Sequence, residues 1–249
     1  MKSIAVFDSQ GEQYEDAFKV FLRHTDQKRK ASEWLNRLLF TLKNRTTFID
    51  VGAGTGIVTA QLEGHFRRTI AIEPNPALFD GLKETCPNAE LLPQPILDVK
   101  LEPIGDLVLC SHVLYYVDEN QWLDTLGKLA SWVSKDGAAV VILQNPQTDC
   151  MNILRHFYQR AYDLPAVVNQ LRQVAGREYE ISLETVPSYV ETNDLQSAYR
   201  IAVFMLNLMP SKQPPSEMLV KAYVRQHFCT PSGQYRFSCH QDFLTIRKK

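Results

Sequence analysis

The sequence predicts an α/β fold: a doubly wound, mostly parallel sheet of seven strands, with N-terminal helices before it and helical insertions in the C-terminal part. Five short apolar runs between residues 48 and 143 have the length and composition of strands. Segments with the apolar spacing of helices separate most of these runs, which is typical of a parallel sheet covered on both faces. A turn with three glycines in five positions, 52–56, follows the first run directly.

The predicted elements alternate regularly up to residue 145. Apolar residues at helical spacing predict helices over 12–42. The elements that follow are, in order, strand 48–51, helix 55–66, strand 69–73, helix 75–86, strands 89–93 and 106–112, helix 120–133 and strand 138–143. Gly137 follows the last of these helices, at a place where helices commonly stop.

Beyond residue 145 the periodicity is weaker. It predicts helices over 150–162, 165–176, 194–208 and 215–228, a strand within 179–190, and a closing strand or hairpin over 235–249. The proline-rich stretch 211–216 is the clearest linker. The chain after it is too short for a separate domain, so we predict a single domain over 1–249.

Composition narrows the function classes. Hydrophobic residues make up 45% of the 249 residues, which is enough for a core. With Lys+Arg 27 against Asp+Glu 28, the net charge is −1, so no global field attracts nucleic acid. No apolar window approaches the length of a membrane span, and the N-terminal apolar stretch is too short for a signal peptide. We expect a cytoplasmic protein with neither a nucleic acid nor a membrane as partner.

The cysteines indicate a reducing compartment. They are odd in number and lack paired C-x-x-C spacing, which argues against a disulfide framework and against a metal site. Cys110 lies in an apolar strand-like run, where we expect a buried structural thiol. The five cysteines are Cys86, Cys110, Cys150, Cys229 and Cys239.

The glycine-rich turn does not fit the usual nucleotide motifs. In the dinucleotide fingerprint G-x-G-x-x-G the third glycine allows close packing of helix on strand. Read from Gly52 that position is Ile57, and read from Gly54 it is Thr59. A phosphate-binding loop needs a lysine after its last glycine, and none follows Gly56. Nicotinamide, flavin and nucleoside triphosphate ligands are therefore disfavoured.

The turn fits a different pattern, D-x-G-x-G-x-G, over residues 50–56. It resembles motif I of the class I S-adenosylmethionine-dependent methyltransferases. The resemblance implies a Rossmann-like fold, S-adenosylmethionine as cofactor and S-adenosylhomocysteine as product. Glu73 ends the second strand, where a carboxylate can accept hydrogen bonds from both ribose hydroxyls.

The candidate cofactor residues follow the carboxyl ends of the first four strands. In the family, the turn after strand three contacts adenine, which implicates Gln94 and Ile96, with Asp98 as a competitor. The predicted cofactor-binding residues are Gly52, Ala53, Gly54, Glu73, Pro74, Gln94, Ile96 and Ser111, and no metal site is predicted.

Two methyltransferase classes are disfavoured. Enzymes that methylate exocyclic amines of nucleobases usually carry an N/D-P-P-Y/F signature after strand four, and this chain has residues 111–116, Ser-His-Val-Leu-Tyr-Tyr, there. Residues 145–147, Asn-Pro-Gln, do not supply that signature either. The paired-glutamate loop of the protein arginine methyltransferases also has no counterpart in the sequence.

Residues 14–27 and 111–117, with the closing run 242–246, resemble the histamine N-methyltransferases. By position, Tyr14, Tyr115 and Tyr116 would then line the substrate pocket. The chain departs from that family at three polar positions: Gln27 stands for a glutamate, His112 for a glutamine, and Cys239 stands at or near an asparagine. Because a pocket that loses such groups usually rejects the original ligand, histamine itself is not the expected substrate.

His112 is the candidate catalytic residue, because it lies at the carboxyl end of strand four, where open α/β sheets bind ligands. It would act as a base or an orienting group, or would only pack against the cofactor. Tyr115 and Tyr116 cannot face the same way on a strand, where one would be core and one would face the substrate, but they could on a loop or at a helix start. Their rings suit a cationic or aromatic acceptor. Tyr14 would close over the site as a lid.

The sequence thus predicts a methyltransferase acting on a small-molecule acceptor, with nitrogen favoured. The alternatives are O- or C-methylation in secondary metabolism, or a cofactor-binding subunit without turnover. Residues 1–45 would form the N-terminal helical lid, 46–145 the cofactor-binding half, and 146–249 the substrate-side elaboration with the closing strands. Monomer and homodimer both remain open.

Overall fold

A computed structural model describes residues 2–8 and 11–249. The chain divides into two compact units, each assembled from separated stretches of sequence. The first unit comprises Met1–Leu35, Gln144–Asp163 and Thr185–Gln241, and the second comprises Asn36–Leu143, Leu164–Glu184 and Asp242–Lys249.

The elements of the described residues follow the predicted order closely. The strands are β1 (Thr47–Val51), β2 (Arg68–Ile72), β3 (Glu90–Leu92), β4 (Gly105–Ser111), β5 (Val133–Gln144), β6 (Tyr179–Val186), β7 (Tyr189–Thr192), β8 (Tyr235–Ser238) and β9 (Gln241–Lys248). The α-helices are α1 (Glu12–His24), α2 (Gln27–Thr41), α3 (Ile57–Glu63), α4 (Pro76–Thr85), α5 (Trp122–Ser131), α6 (Asp149–Tyr158), α7 (Leu164–Ala175), α8 (Leu195–Asn207) and α9 (Glu217–Phe228). Short 3₁₀ helices cover Leu114–Tyr116 and Glu119–Gln121.

The second unit is built on a seven-stranded sheet of order β3-β2-β1-β4-β5-β9-β6. The pairs β1–β2, β2–β3, β1–β4 and β4–β5 are all parallel. All five residues of β1 are buried, as expected for a strand covered on both faces. The predicted doubly wound, mostly parallel, Rossmann-like fold is confirmed.

The strand order places the functional loops. β1 has β2 on one side and β4 on the other, and Val51 pairs with both Ile72 and Cys110. The order reverses at this point, and the crevice outside the carboxyl ends of such strands is where open α/β sheets bind ligands. The loops after β1, β2 and β4 therefore leave the sheet side by side.

The structure corrects one prediction of local structure and decides between two alternatives for the chain end. Gly137 does not stop a helix, because α5 ends at Ser131 and Gly137 lies inside β5. A Cβ on Gly137 would come within 2.4 Å of the Gly105 carbonyl oxygen, so close strand approach explains this glycine. Of the closing strand and the hairpin, the structure shows the strand, since β8 pairs with β7 whereas β9 joins the seven-stranded sheet.

Cys110 is completely buried in β4, which confirms the predicted structural thiol. Burial raises its pKa to about 12. The thiol therefore stays protonated at physiological pH and packs as an apolar group.

The first unit packs helices around α8 and contains the antiparallel pair β7–β8. α1 contacts α8 through aromatic rings: the centroids of Tyr14, Phe18 and Phe21 lie 5.3–5.5 Å from that of Phe204. Such ring pairs add to the free energy gained from burial alone. The predicted linker 211–216 joins α8 to α9 within this unit.

Across the described residues, the helices are too short or too polar to span a bilayer.

Candidate functional site

The loop after β1 has a backbone conformation that requires glycine. Gly52 and Gly54 have φ values of +71° and +58°, in the left-handed region. The amide groups of Gly52 and Ala53 both donate to the Ile72 carbonyl oxygen, at 2.8 and 3.0 Å. A Cβ built on Gly54 meets nothing within 4 Å, so its backbone is open to close approach by a ligand.

Glu73 is held next to this loop. Its side chain is buried, and its Oε2 atom accepts a hydrogen bond from the Gly54 amide at 2.8 Å. Its Oε1 atom accepts one from the Asn75 amide, also at 2.8 Å. Each carboxylate oxygen retains acceptor capacity for a further donor. The arrangement fits a ribose, whose two neighbouring hydroxyls can donate to the two oxygens.

Asp50 lies beneath the loop. Its Oδ2 atom accepts a hydrogen bond from the Thr59 hydroxyl at 2.7 Å, and both side chains are buried. Burial raises the pKa of Asp50 to about 6, and the neighbouring Glu73 charge acts in the same direction. In the sequence, Thr59 stands out only because it occupies the position of a third glycine in the dinucleotide fingerprint. Its place in the first turn of α3, close to the end of β1, was the one indication that it could contact Asp50.

The other predicted cofactor residues lie at or just beyond the carboxyl ends of β2, β3 and β4. Pro74 directly follows Glu73 and is exposed. Gln94 is exposed and Ile96 is buried in the turn after β3, and the Glu73 amide donates to the Leu92 carbonyl at 3.1 Å. Ser111 is half-buried and ends β4.

His112 has an unusual backbone conformation for a residue with a side chain. Its φ is +59°, and its amide donates to the Ile142 carbonyl at 2.8 Å. The imidazole stacks on the Tyr115 ring, with centroids 5.9 Å apart and planes 21° from parallel. Backbone strain of this kind concentrates at functional sites, where surrounding contacts maintain it.

The tyrosine pair lies on a 3₁₀ helix, Leu114–Tyr116, and not on a strand. Tyr115 is half-buried and Tyr116 is 60% exposed, while Leu114 is completely buried. Of the two alternatives, the helix start is the one found, and neither tyrosine is a core residue. Each 3₁₀ residue turns the chain by about a third of a circle, and Leu114 takes the inward position.

Two residues of this site escaped sequence reasoning. A Cβ on Gly52 would lie 2.3 Å from Val113 Cγ2, so Val113 fills the space beside the glycine. The Trp122 indole donates to the carbonyls of Leu114 and Val117, at 3.1 Å each. Nothing in the sequence marks Val113, whereas Trp122, six residues after the turn, is a large residue whose N–H group needs a partner when it is buried.

The remaining predicted substrate residues belong to the first unit. Tyr14 is buried against Phe204 of α8. Gln27 and Cys239 are brought together, since the Gln27 amide group donates to the Cys239 carbonyl. Cys239 is completely buried, which raises its pKa to about 11. The roles of these three residues in substrate binding stay predictions.

Among residues 2–8 and 11–249, three or more His, Cys, Asp or Glu side chains are nowhere grouped so as to hold a metal ion.

Solved structures of methyltransferases share the fold at low sequence identity. NodS, an N-methyltransferase from Bradyrhizobium japonicum in complex with S-adenosylhomocysteine, has a TM-score of 0.56 at 14% identity, over 96% of this chain and 99% of that chain. A SAM-dependent methyltransferase from Archaeoglobus fulgidus has a TM-score of 0.57 at 16% identity, over 95% and 100%. DhpI, in a complex with SAM and HEP, has a TM-score of 0.56 at 13% identity, over 96% and 94%.

No curated protein sequence matches the chain significantly. The predicted resemblance to the histamine N-methyltransferases therefore stays a prediction. The family model described as a methyltransferase domain matches residues 22–198, which is more than half of the chain. The predicted enzyme class is confirmed: the chain belongs to the methyltransferase domain family and has the fold of the class I S-adenosylmethionine-dependent methyltransferases.

Proposed function

We propose that this chain binds S-adenosylmethionine in the loop after β1 and transfers its methyl group to a small-molecule acceptor, with nitrogen favoured. The observation that carries the proposal is the pair formed by Glu73 and Gly54: a buried carboxylate bonded to the amide of a residue with open space beside it. This arrangement supports a bound ribose, with the amino-acid part of the cofactor against the exposed backbone of the loop.

The turn after β4 is the proposed acceptor side. Its strained His112, the ring of Tyr115 stacked on it and the exposed Tyr116 support this assignment. Aromatic faces attract cations and stack on planar groups, so an amine or an aromatic amine suits them. The N-methyltransferase activity named for NodS also supports nitrogen.

The bound cofactor supplies a methyl group on a positively charged sulfur. The residues of the site would present a neutral acceptor nitrogen, with its lone pair free, to that methyl group, and S-adenosylhomocysteine would be the second product. The methylated nitrogen then loses a proton, and His112 is the proposed group that receives it. Otherwise the residues of the site align the acceptor and exclude water.

The five free cysteines support the proposed cytoplasmic, reducing location.

The test has two stages. Calorimetric titration with S-adenosylhomocysteine should show one site per chain, and no binding at millimolar ligand would overturn the proposal. Radiolabelled methyl transfer from S-adenosylmethionine should then be screened over amines, phenols, carboxylic acids and carbon acids, with products identified by mass spectrometry. Labelled amines are expected. If all products are methylated on oxygen or carbon, the acceptor atom is oxygen or carbon and not nitrogen. If S-adenosylhomocysteine binds but no product forms, the result would favour a cofactor-binding subunit without turnover.

A further inference from the structure

Trp122 is attached to the turn that carries the proposed acceptor residues. It is 1% exposed at the start of α5, and its indole Nε1–H lies 3.1 Å from both the Leu114 and the Val117 carbonyl oxygens. These two carbonyls bracket the 3₁₀ helix Leu114–Tyr116. A buried indole N–H needs an acceptor, and this one holds both ends of a single short turn.

The turn is also held by its Leu114 side chain, which is completely buried. Its own backbone provides hydrogen bonds from the Tyr116 amide to the Val113 carbonyl, at 2.9 Å, and from the Val117 amide to the Leu114 carbonyl, at 3.2 Å. Hydrogen bonds of 3₁₀ helices have poor geometry, and single turns of this type are weak alone. Trp122 therefore adds a buried, rigid anchor to a turn whose own backbone hydrogen bonds are weak.

The anchored turn bears on both sides of the site. Its Tyr115 ring stacks on His112, whose left-handed backbone needs surrounding contacts to persist. At its start, Val113 packs against Gly52 of the glycine loop. A shift of the turn would move the His112 imidazole, because its ring stacks on Tyr115 and its backbone is continuous with the turn.

We propose that Trp122 is a positioning residue for methyl transfer: through the Leu114 and Val117 carbonyls it fixes the orientation of His112 and Tyr115. The inference rests on the proposed function, because it assigns these two side chains to the acceptor side. Trp122 itself contacts neither cofactor nor acceptor in this assignment.

The test compares Trp122→Phe with Trp132→Phe. Trp132 is also 1% exposed and belongs to the same unit, but its ring faces the Lys128 ammonium, at 5.9 Å. Both substitutions remove a similar volume from the core, so both should lower the melting temperature. Only Trp122→Phe removes a donor to the turn.

The readout independent of any acceptor is the His112 imidazole signal in the NMR spectrum of the protein bound to S-adenosylhomocysteine. The signal is assigned by its loss in His112→Asn. It should be sharp in the wild type and in Trp132→Phe, and shifted or broadened in Trp122→Phe. An unchanged signal in Trp122→Phe would overturn the role of Trp122.

With an acceptor found in the methylation screen, kcat of Trp122→Phe should be roughly tenfold below that of Trp132→Phe, the equivalent of about one hydrogen bond. The Kd for S-adenosylhomocysteine should stay within about threefold of the Trp132→Phe value. Equal kcat values would overturn the inference. Failure of the wild type to bind S-adenosylhomocysteine would instead remove the proposed function.

If Trp122→Phe fails to fold, benzothienylalanine at position 122 replaces the indole N–H by sulfur and keeps the ring shape. This variant should reproduce the change in the His112 signal. A wild-type signal in that variant would overturn the inference.

Discussion

The methyl groups of Val113 fill the space beside Gly52 that any larger residue there would need. A Cβ on Gly52 would lie 2.3 Å from Val113 Cγ2 and 3.0 Å from Cγ1. Gly52 belongs to the loop after β1, and Val113 belongs to the turn after β4. The proposed cofactor loop and acceptor turn therefore meet at a direct van der Waals contact, and a side chain at position 52 would push them apart.

Replacement of Gly52 by alanine should lower the free energy of unfolding by about 3 kcal/mol, because a left-handed φ and an overpacked contact act together. Gly54→Ala should cost only about 1 kcal/mol, since its φ is also positive but its Cβ would enter open space. Urea unfolding measures both. Adding Val113→Ala to Gly52→Ala should restore part of the loss, and equal losses for the two alanine variants would refute the steric argument.

Replacement of Glu73 by alanine should weaken binding of S-adenosylhomocysteine by about 1–3 kcal/mol, the range for lost hydrogen bonds to a charged group. The carboxylate that clamps the Gly54 and Asn75 amides would no longer be present to accept from the ribose. Isothermal titration calorimetry gives the Kd. Glu90→Ala is the matched control, since this carboxylate is exposed and pairs with Arg68. A Kd for Glu73→Ala equal to that of the control would mean that the ribose binds elsewhere.

The sheet and the cofactor side of the site could be predicted from the sequence because their signals are local. β1 and β4 are mostly apolar, and Glu73 directly follows β2, the neighbour of the strand that precedes the glycines. The predicted strand 48–51 accordingly differs from β1 by one residue. β5 was predicted too short because its first half contains charged residues and Gly137, which read as a loop.

What the sequence could not supply depends on contacts between distant residues or on backbone angles. Gln27 and Cys239 are 212 residues apart in the chain, and their hydrogen bond follows from the tertiary fold alone. The left-handed conformation of His112 is invisible in the sequence, because histidine rarely adopts it. In the sequence, Val113 is an ordinary apolar residue. Its importance comes from its contact with Gly52, which has no side chain.

Asp50 should make the stability of the protein fall as the pH rises from about 4 to about 6. Its folded pKa of about 6 lies above the ordinary value of 3.8, so the folded state binds the proton more tightly than the unfolded state. The contribution of Asp50 to the free energy of unfolding is complete below its pKa in the unfolded state. It is lost as the pH rises through its pKa in the folded state. The two-unit difference corresponds to about 3 kcal/mol.

Asp50→Asn keeps an acceptor for the Thr59 hydroxyl and removes the titrating group. The difference in unfolding free energy between wild type and Asp50→Asn, measured in urea at pH 4 to 7, isolates the contribution of Asp50 from all other groups. As the pH rises across this interval, the free energy of unfolding of the wild type should fall by about 3 kcal/mol relative to that of Asp50→Asn. A constant difference would show that Asp50 does not titrate there.

Cys229 should be the thiol that reacts first in the native protein. It is exposed, whereas Cys86, Cys110, Cys150 and Cys239 are buried. Burial raises the pKa of Cys239 to about 11 and that of Cys110 to about 12, so neither forms a thiolate at pH 8. A disulfide reagent such as DTNB should therefore label about one thiol per chain rapidly, and Cys229→Ser should abolish this phase. Rapid labelling of Cys239 would contradict the packing described for the first unit.

Replacement of His112 by glycine or by alanine should give two variants that differ in stability but are both low in turnover. His112→Gly relieves the φ of +59°, so it should be more stable than His112→Ala by about 1 kcal/mol in urea unfolding. Both variants lack the imidazole that stacks on Tyr115, so both should lower kcat of methyl transfer more than they weaken binding of S-adenosylhomocysteine. A packing role of the imidazole would instead lower kcat and cofactor affinity equally in both variants. If His112→Gly is more stable than His112→Ala but equally low in kcat, the fold tolerates a strained backbone at this position and turnover requires the imidazole. This is expected for a residue that acts on the acceptor.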